Sequence, residues 1–154
     1  MTKLARAVRE AIERHREPEA VIRAAVETIH SSSDRYDWTG IYLMDGGDHL
    51  VLSHYLGAPS PHTRIPLGSG ICGAAAREKQ TLIVADVSSD PRYIACSLET
   101  KSEIVVPIMS GGRVLGEIDI DSHRPDAFGA SDREALEEIA GFLAARLDAV
   151  KGGS

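Results

Sequence analysis

Ser102-Glu103-Ile104-Val105-Val106-Pro107 and, past the glycine pair Gly111-Gly112, Gly116-Glu117-Ile118-Asp119-Ile120-Asp121-Ser122 are the stretches whose reading decides the fold. Glu103 to Ser110 and Arg113 to Asp121 read as two strands of a hairpin turning at the glycines, which take positive φ without a Cβ clash. Asp119 and Asp121 lie two residues apart, so on a strand their side chains leave on one face, with Ile118 and Ile120 on the other. A solvated strand face fits that pattern as well as a site does.

Working outward, Trp38 to Met44 and His49 to Tyr55 flank Asp45-Gly46-Gly47-Asp48 and predict a first hairpin. Ile71 to Lys79 reads as helix and Thr81 to Asp86 as a short strand. Upstream, Leu4, Val8, Ala11 and Ile12, then Val21, Ile22, Ala25, Val26 and Ile29 after Pro18, recur at helical spacing and give two helices or one broken helix. Downstream, Ser131 with Glu134 is a capping-box start for a last helix, whose buried stripe is Leu136, Ile139, Ala140, Leu143 and Leu147. Helices at both ends around antiparallel hairpins make an α+β fold. The expected organisation is one domain over 1–154: a helical segment 1–33, a core with its C-terminal helix over 34–150, and a tail 151–154.

The bulk properties narrow the function. With 154 residues, 43% hydrophobic and 26% charged, one domain can bury a real core. A formal net charge of -6 without a Lys/Arg block argues against nucleic-acid phosphates and anionic membrane as partners, leaving a small molecule or a protein. No apolar run reaches the roughly 18 residues of a membrane span, and Met1 to Arg16 has no signal-peptide core. The expected location is the cytoplasm, where thiols are held reduced.

Cys72 sits in Gly68-Ser69-Gly70-Ile71-Cys72-Gly73 at a helix start, and Cys96 follows Pro91-Arg92-Tyr93-Ile94-Ala95 in a long connection. A free cysteine is often a small buried hydrophobe. Against that stands the carboxylate set Glu103, Asp119 and Asp121. Like charges held together raise one carboxyl pKa toward that of a useful acid, and the ionised remainder suits an ammonium group. Trp38 and Tyr42, four apart on a strand, share a face and serve equally as core or as pocket wall. Gly68-Ser69-Gly70 lacks the following Lys-Ser/Thr of a P-loop. His62, Cys72 and Cys96 show no CxxC pair or matched His spacing, so no metal site is expected from them.

Trp38-Thr39-Gly40-Ile41-Tyr42, Thr63-Arg64-Ile65-Pro66-Leu67-Gly68-Ser69-Gly70-Ile71-Cys72-Gly73, Ile94-Ala95-Cys96, Ser102-Glu103-Ile104-Val105-Val106-Pro107 and Gly116-Glu117-Ile118-Asp119-Ile120-Asp121-Ser122 together resemble the free methionine-(R)-sulfoxide reductases, enzymes of the GAF fold. The resemblance runs from about Asp34 to Leu147. It implies a GAF-like antiparallel sheet between N- and C-terminal helices, thiol-dependent reduction of the free R epimer, and no cofactor. It also implies Cys96 as nucleophile, Cys72 as resolving cysteine, Glu103, Asp119 and Asp121 as substrate-binding carboxylates, and Trp38 and Tyr42 as pocket walls. A thioredoxin-type reductant and a homodimer, formed through the amphipathic first helix, complete the expectation. The chain departs from the family at His62, where a further cysteine is common. The alternative is a GAF sensor that binds an amino-acid-like ligand without turning it over.

Overall fold

The computed structural model describes residues 1–93 and 99–152, with side chains as far as Asp148. Two helices, α1 (Lys3–Glu13) and α2 (Pro18–Ser31), precede strands β1 (Trp38–Asp45), β2 (His49–Leu56) and β3 (Arg64–Pro66). Helix α3 (Gly70–Glu78), strand β4 (Leu82–Val84), a 3-10 turn (Val87–Ser89), strands β5 (Ser102–Ser110) and β6 (Arg113–Ser122) and helix α4 (Ala130–Gly152) follow. The strands form one antiparallel sheet in the order β3-β2-β1-β6-β5-β4. Both expected hairpins are present, and Gly111 and Gly112 turn the second one at φ 58° and 79°.

The sheet has two unlike faces. Ile41, Ile104, Val106, Ile108, Leu115, Ile118 and Ile120 meet Val8, Ile22, Ile29, Leu136, Ile139 and Leu143 from α1, α2 and α4. Each such side chain contributes about 1.5–3 kcal/mol by leaving water, so this cluster carries most of the apolar burial. On the other face Trp38, Tyr42, Leu50, Val105 and Val114 pack with Ile71, Cys72 and Ala75 of α3. That smaller cluster leaves room for polar groups. The apolar stripe of α1 (Ala5, Val8, Ile12) is buried within the chain's own core, so any pairing of two copies has to use another surface.

Local signals explain most helix ends. Thr2 caps α1 by accepting from the Ala5 N–H, and Pro18 opens α2, where its missing N–H has no helical partner to lose. Helix α4 differs from the expectation: it begins at Ala130, ahead of Ser131, and the Gly129 N–H donates to Asp132 Oδ2 at 2.9 Å. Asp132 also accepts from Arg35 Nη2 at 3.0 Å and from the Tyr36 hydroxyl. A tertiary network, not the Ser131–Glu134 box, thus fixes this helix start. The strand expected over Thr81 to Asp86 contracts to Leu82–Val84, and β3 is an addition that the sequence pattern does not announce. Among the described residues no helix is long and apolar enough to cross a membrane.

Candidate active site

Strand alternation places Glu117, Asp119 and Asp121 on the sheet face covered by α3, with Ile118 and Ile120 in the helix-facing core. Register fixes their neighbours. On β1, Trp38 lies opposite Asp121, Gly40 opposite Asp119 and Tyr42 opposite Glu117. On β5, Glu103 lies opposite Asp121, Val105 opposite Asp119 and Pro107 opposite Glu117. Four carboxyls on two adjacent strands are therefore brought onto one buried patch. Helix α3 lowers Cys72 onto it, with Cys72 Sγ 3.5 Å from Asp119 Oδ2.

Gly40 makes space beside this patch. A Cβ at Gly40 would stand 2.4 Å from Cη2 of Trp38, whose ring lies across the glycine. The indole is held there by its Nε1–H, which donates to the Ala58 carbonyl at 3.0 Å, and by stacking on Tyr55 at 5.5 Å between centroids. The Tyr42 hydroxyl donates to the His62 carbonyl at 3.0 Å, which ties the β2–β3 connection to the sheet.

Electrostatics follow from burial. Asp119 is 2% exposed, Asp121 3% and Glu117 0%. Desolvation pushes the carboxyls of Glu117, Asp119 and Asp121 above their ordinary range, and the Asp119 charge adds to this at Glu117 and Asp121. Glu103 opposes that rise at Asp119 and Asp121 without reversing it, so the patch is built to keep neutral acid among its carboxyls. The same surroundings push the Cys72 thiol well up, through desolvation first and then the charges of Asp119, Glu117, Glu103 and Asp121. Cys72 rests as a thiol, which suits a cysteine that acts second better than an activated nucleophile.

A cavity of about 130 Å³ opens onto this patch, lined by Tyr42, His62, Ser69, Cys72, Glu103 and Asp119 among others. Trp38 and Asp121 face a separate cavity of about 60 Å³ with Ala58, Ser60 and His123. The residues singled out in the sequence are thus divided between two spaces, with Glu103 of the first opposite Asp121 of the second across β5 and β6. His62, the departure from the family pattern, lines the larger one. Cys96 lies outside the described residues. Glu117 is a carboxyl of the buried patch that the sequence reading did not single out, although its place two before Asp119 puts it on the same face. Chemically, the larger cavity can attract a cation to ionised carboxylates, deliver a proton from a neutral one, and present a thiol.

Residues 17–147 match the GAF domain family. Among curated proteins, GAF domain-containing protein A of Dictyostelium discoideum is 42% identical over 106 residues, 69% of this chain and 66% of that protein. The free methionine-R-sulfoxide reductase of Saccharomyces cerevisiae is 44% identical over 110 residues, 70% of this chain and 61% of that one. The chain thus spans a little under two thirds of the length of these two relatives. Among solved structures, free methionine-R-sulfoxide reductase from Neisseria meningitidis in complex with its substrate aligns at TM-score 0.92 and 33% identity, over 99% of this chain and 90% of that one. The GAF domain of a phosphoenolpyruvate-protein phosphotransferase from Coxiella burnetii aligns at TM-score 0.87 but 17% identity and shares the fold alone. By the family match and by its likeness to solved reductases over nearly their whole length, the chain belongs to the GAF domain family and, within it, to the free methionine-R-sulfoxide reductases.

Proposed function

We propose that this protein reduces free methionine-(R)-sulfoxide to methionine with thiol electrons, Cys96 acting as nucleophile and Cys72 as the resolving thiol. The observation that carries the reading is the cavity where a buried thiol meets Glu103 and Asp119. A sulfoxide sulfur becomes a good electrophile only as its oxygen gains a proton, so the reaction needs an acid near that oxygen and a thiolate opposite. Neutral carboxyl at Asp119 or Glu103 serves as the acid. Ionised carboxylate there pairs the substrate ammonium, and Tyr42 walls the methyl-thio end, with Trp38 and Asp121 completing the pocket from the adjoining space.

In this reading Cys96 takes the sulfoxide oxygen as a sulfenic acid and methionine leaves. The Cys72 sulfur then displaces that oxygen as water, its thiol proton leaving with it, and a Cys72–Cys96 disulfide forms. A thioredoxin-type dithiol returns both thiols, so one sulfoxide and two reducing equivalents give methionine and water. The setting is a reducing compartment, the cytoplasm, and a homodimer would pair through a surface other than the α1 stripe.

Purified protein, dithiothreitol and each epimer of free and peptide-bound methionine sulfoxide test the proposal. Turnover of the free R epimer alone supports it. Cys96→Ser should abolish methionine formation even in a single turnover, and Cys72→Ser should permit one turnover and stall. Ligand binding without turnover under any thiol reductant would instead favour the sensor.

A further inference from the structure

Cys72 Sγ and one carboxylate oxygen each of Glu103 and Asp119 all lie within 4.8 Å of one another. The three come from α3, β5 and β6, so no spacing motif announces them. A tetrahedral zinc ion with bonds of about 2.0 Å to oxygen and 2.3 Å to sulfur sets such ligand atoms about 3.3–3.5 Å apart, and side-chain rotations moving them by up to about 1.5 Å close the difference. We propose that Cys72, Glu103 and Asp119 form a binding site for a thiophilic divalent cation of the zinc class, which inhibits the protein by occupying its substrate cavity. The inhibition rests on the reductase reading; the binding does not.

An independent observation points to a ligand there. Asp119 lines the cavity and is 2% exposed, and its Oδ1 is buried with no hydrogen-bond partner, a state natural proteins rarely leave unanswered. Cationic side chains do not answer it: among the described residues no Lys or Arg pairs with Asp119, and Arg64 on the cavity wall is engaged by Asp45 at 2.8 Å. A thiolate with two carboxylates is the mixed soft and hard set that zinc accepts, and a dication relieves the repulsion that burial makes severe. Water from the cavity would complete the coordination. Binding exchanges protons for metal. The Cys72 thiol proton leaves as the thiolate binds, so affinity rises with pH.

The test uses the full chain, reduced with a phosphine that does not bind metal, and titrated with cobalt(II) as a visible substitute and then with zinc(II). The expected result is one equivalent of cobalt with a sulfur-to-cobalt charge-transfer band, bleached by zinc, accompanied by proton release. Cys72→Ser should remove the band, and Asp119→Asn should weaken zinc by more than about a hundredfold, beyond the loss typical of residues that only support a ligand. Free methionine sulfoxide should weaken zinc by the same factor as zinc weakens it, since coupling is reciprocal. A band retained in Cys72→Ser, unchanged affinity in Asp119→Asn, or no band in the unaltered protein would overturn the site. Should a variant fail to fold, protection of Cys72 from alkylation by one equivalent of zinc in the unaltered chain decides the matter. A chain that reduces the sulfoxide but shows no band loses this proposal and keeps its activity; a chain with the band and no turnover keeps the metal site and loses the reductase reading.

Discussion

Replacing Glu117 with methionine should make the protein more stable, by an amount that grows with pH. Glu117 is fully buried between Tyr42 on β1 and Pro107 on β5, and neither carboxyl oxygen makes a hydrogen bond. A buried polar group left unsatisfied costs about 1–3 kcal/mol, and methionine fills a similar volume with a flexible apolar chain. In a domain of this size each kcal/mol moves Tm by about 2–4 °C, so the expected rise is about 2–12 °C. The pH dependence has a definite sign. Burial, with the charge of Asp119, holds the folded-state pKa well above the ordinary 4.5. Below that ordinary value both states carry the proton and only the missing hydrogen bonds count. As pH climbs past it the unfolded chain releases a proton that the folded chain keeps, so the wild type loses stability up to the folded-state pKa. The methionine variant escapes that loss, and its advantage should be larger at pH 8 than at pH 4. Thermal melts between pH 4 and 8 measure it. A variant less stable than the wild type, or a gain that does not change with pH, would refute the reasoning.

Asp119→Asn should lower turnover of free methionine-(R)-sulfoxide by about a hundredfold or more, the scale of a lost general acid, while Tm holds or rises; activity within twofold of wild type would remove Asp119 from the reaction. Gly40→Ala should cost about 1–3 kcal/mol, because the new methyl would stand 2.4 Å from the Trp38 ring, and near-ultraviolet circular dichroism should report the displaced indole. Asp132→Asn should cost about 1.5–3 kcal/mol at pH 7. Burial alone would raise this carboxyl, but the Arg35 hydrogen bond, the Gly129 N–H and the Tyr36 hydroxyl outweigh it and hold the pKa below 3.8. That contribution is present above 3.8 and fades as pH falls through the folded-state value, so denaturant melts of the two proteins should converge in acid.

The hairpins were legible because Gly46-Gly47 and Gly111-Gly112 interrupt alternating strands, and α1, α2 and α4 because their apolar residues recur at helical spacing. The start of α4 was not, since it depends on Arg35 and Tyr36 reaching Asp132 across 97 and 96 residues of chain. Strand β3 is three residues with a single buried side chain, Ile65, too little to show a period. In the site, Glu103, Asp119 and Cys72 were legible as chemistry and do meet around one cavity. The burial of Glu117 was not, because a carboxylate alternating with isoleucines looks the same whether its face is wet or covered. Only the placement of α3 over that face decides it. The assignment of Trp38 and Asp121 to a neighbouring cavity depends in the same way on how the Ala58–Ser60 segment folds back.

The alternation along β6 has a consequence for how the chain finds its fold. Its odd-numbered carboxyls, Glu117, Asp119 and Asp121, and its even-numbered isoleucines, Ile118 and Ile120, are sorted to opposite sides. If β6 slipped by one residue against β1 and β5, every side chain would change sides, and three acids would enter the hydrocarbon under α2 and α4 while two isoleucines replaced them beneath α3. The acidic residues therefore specify the register of the sheet as well as its chemistry, and a single-residue insertion between Gly116 and Ser122 should destabilise the fold far more than the same insertion at Gly111-Gly112, which the turn absorbs.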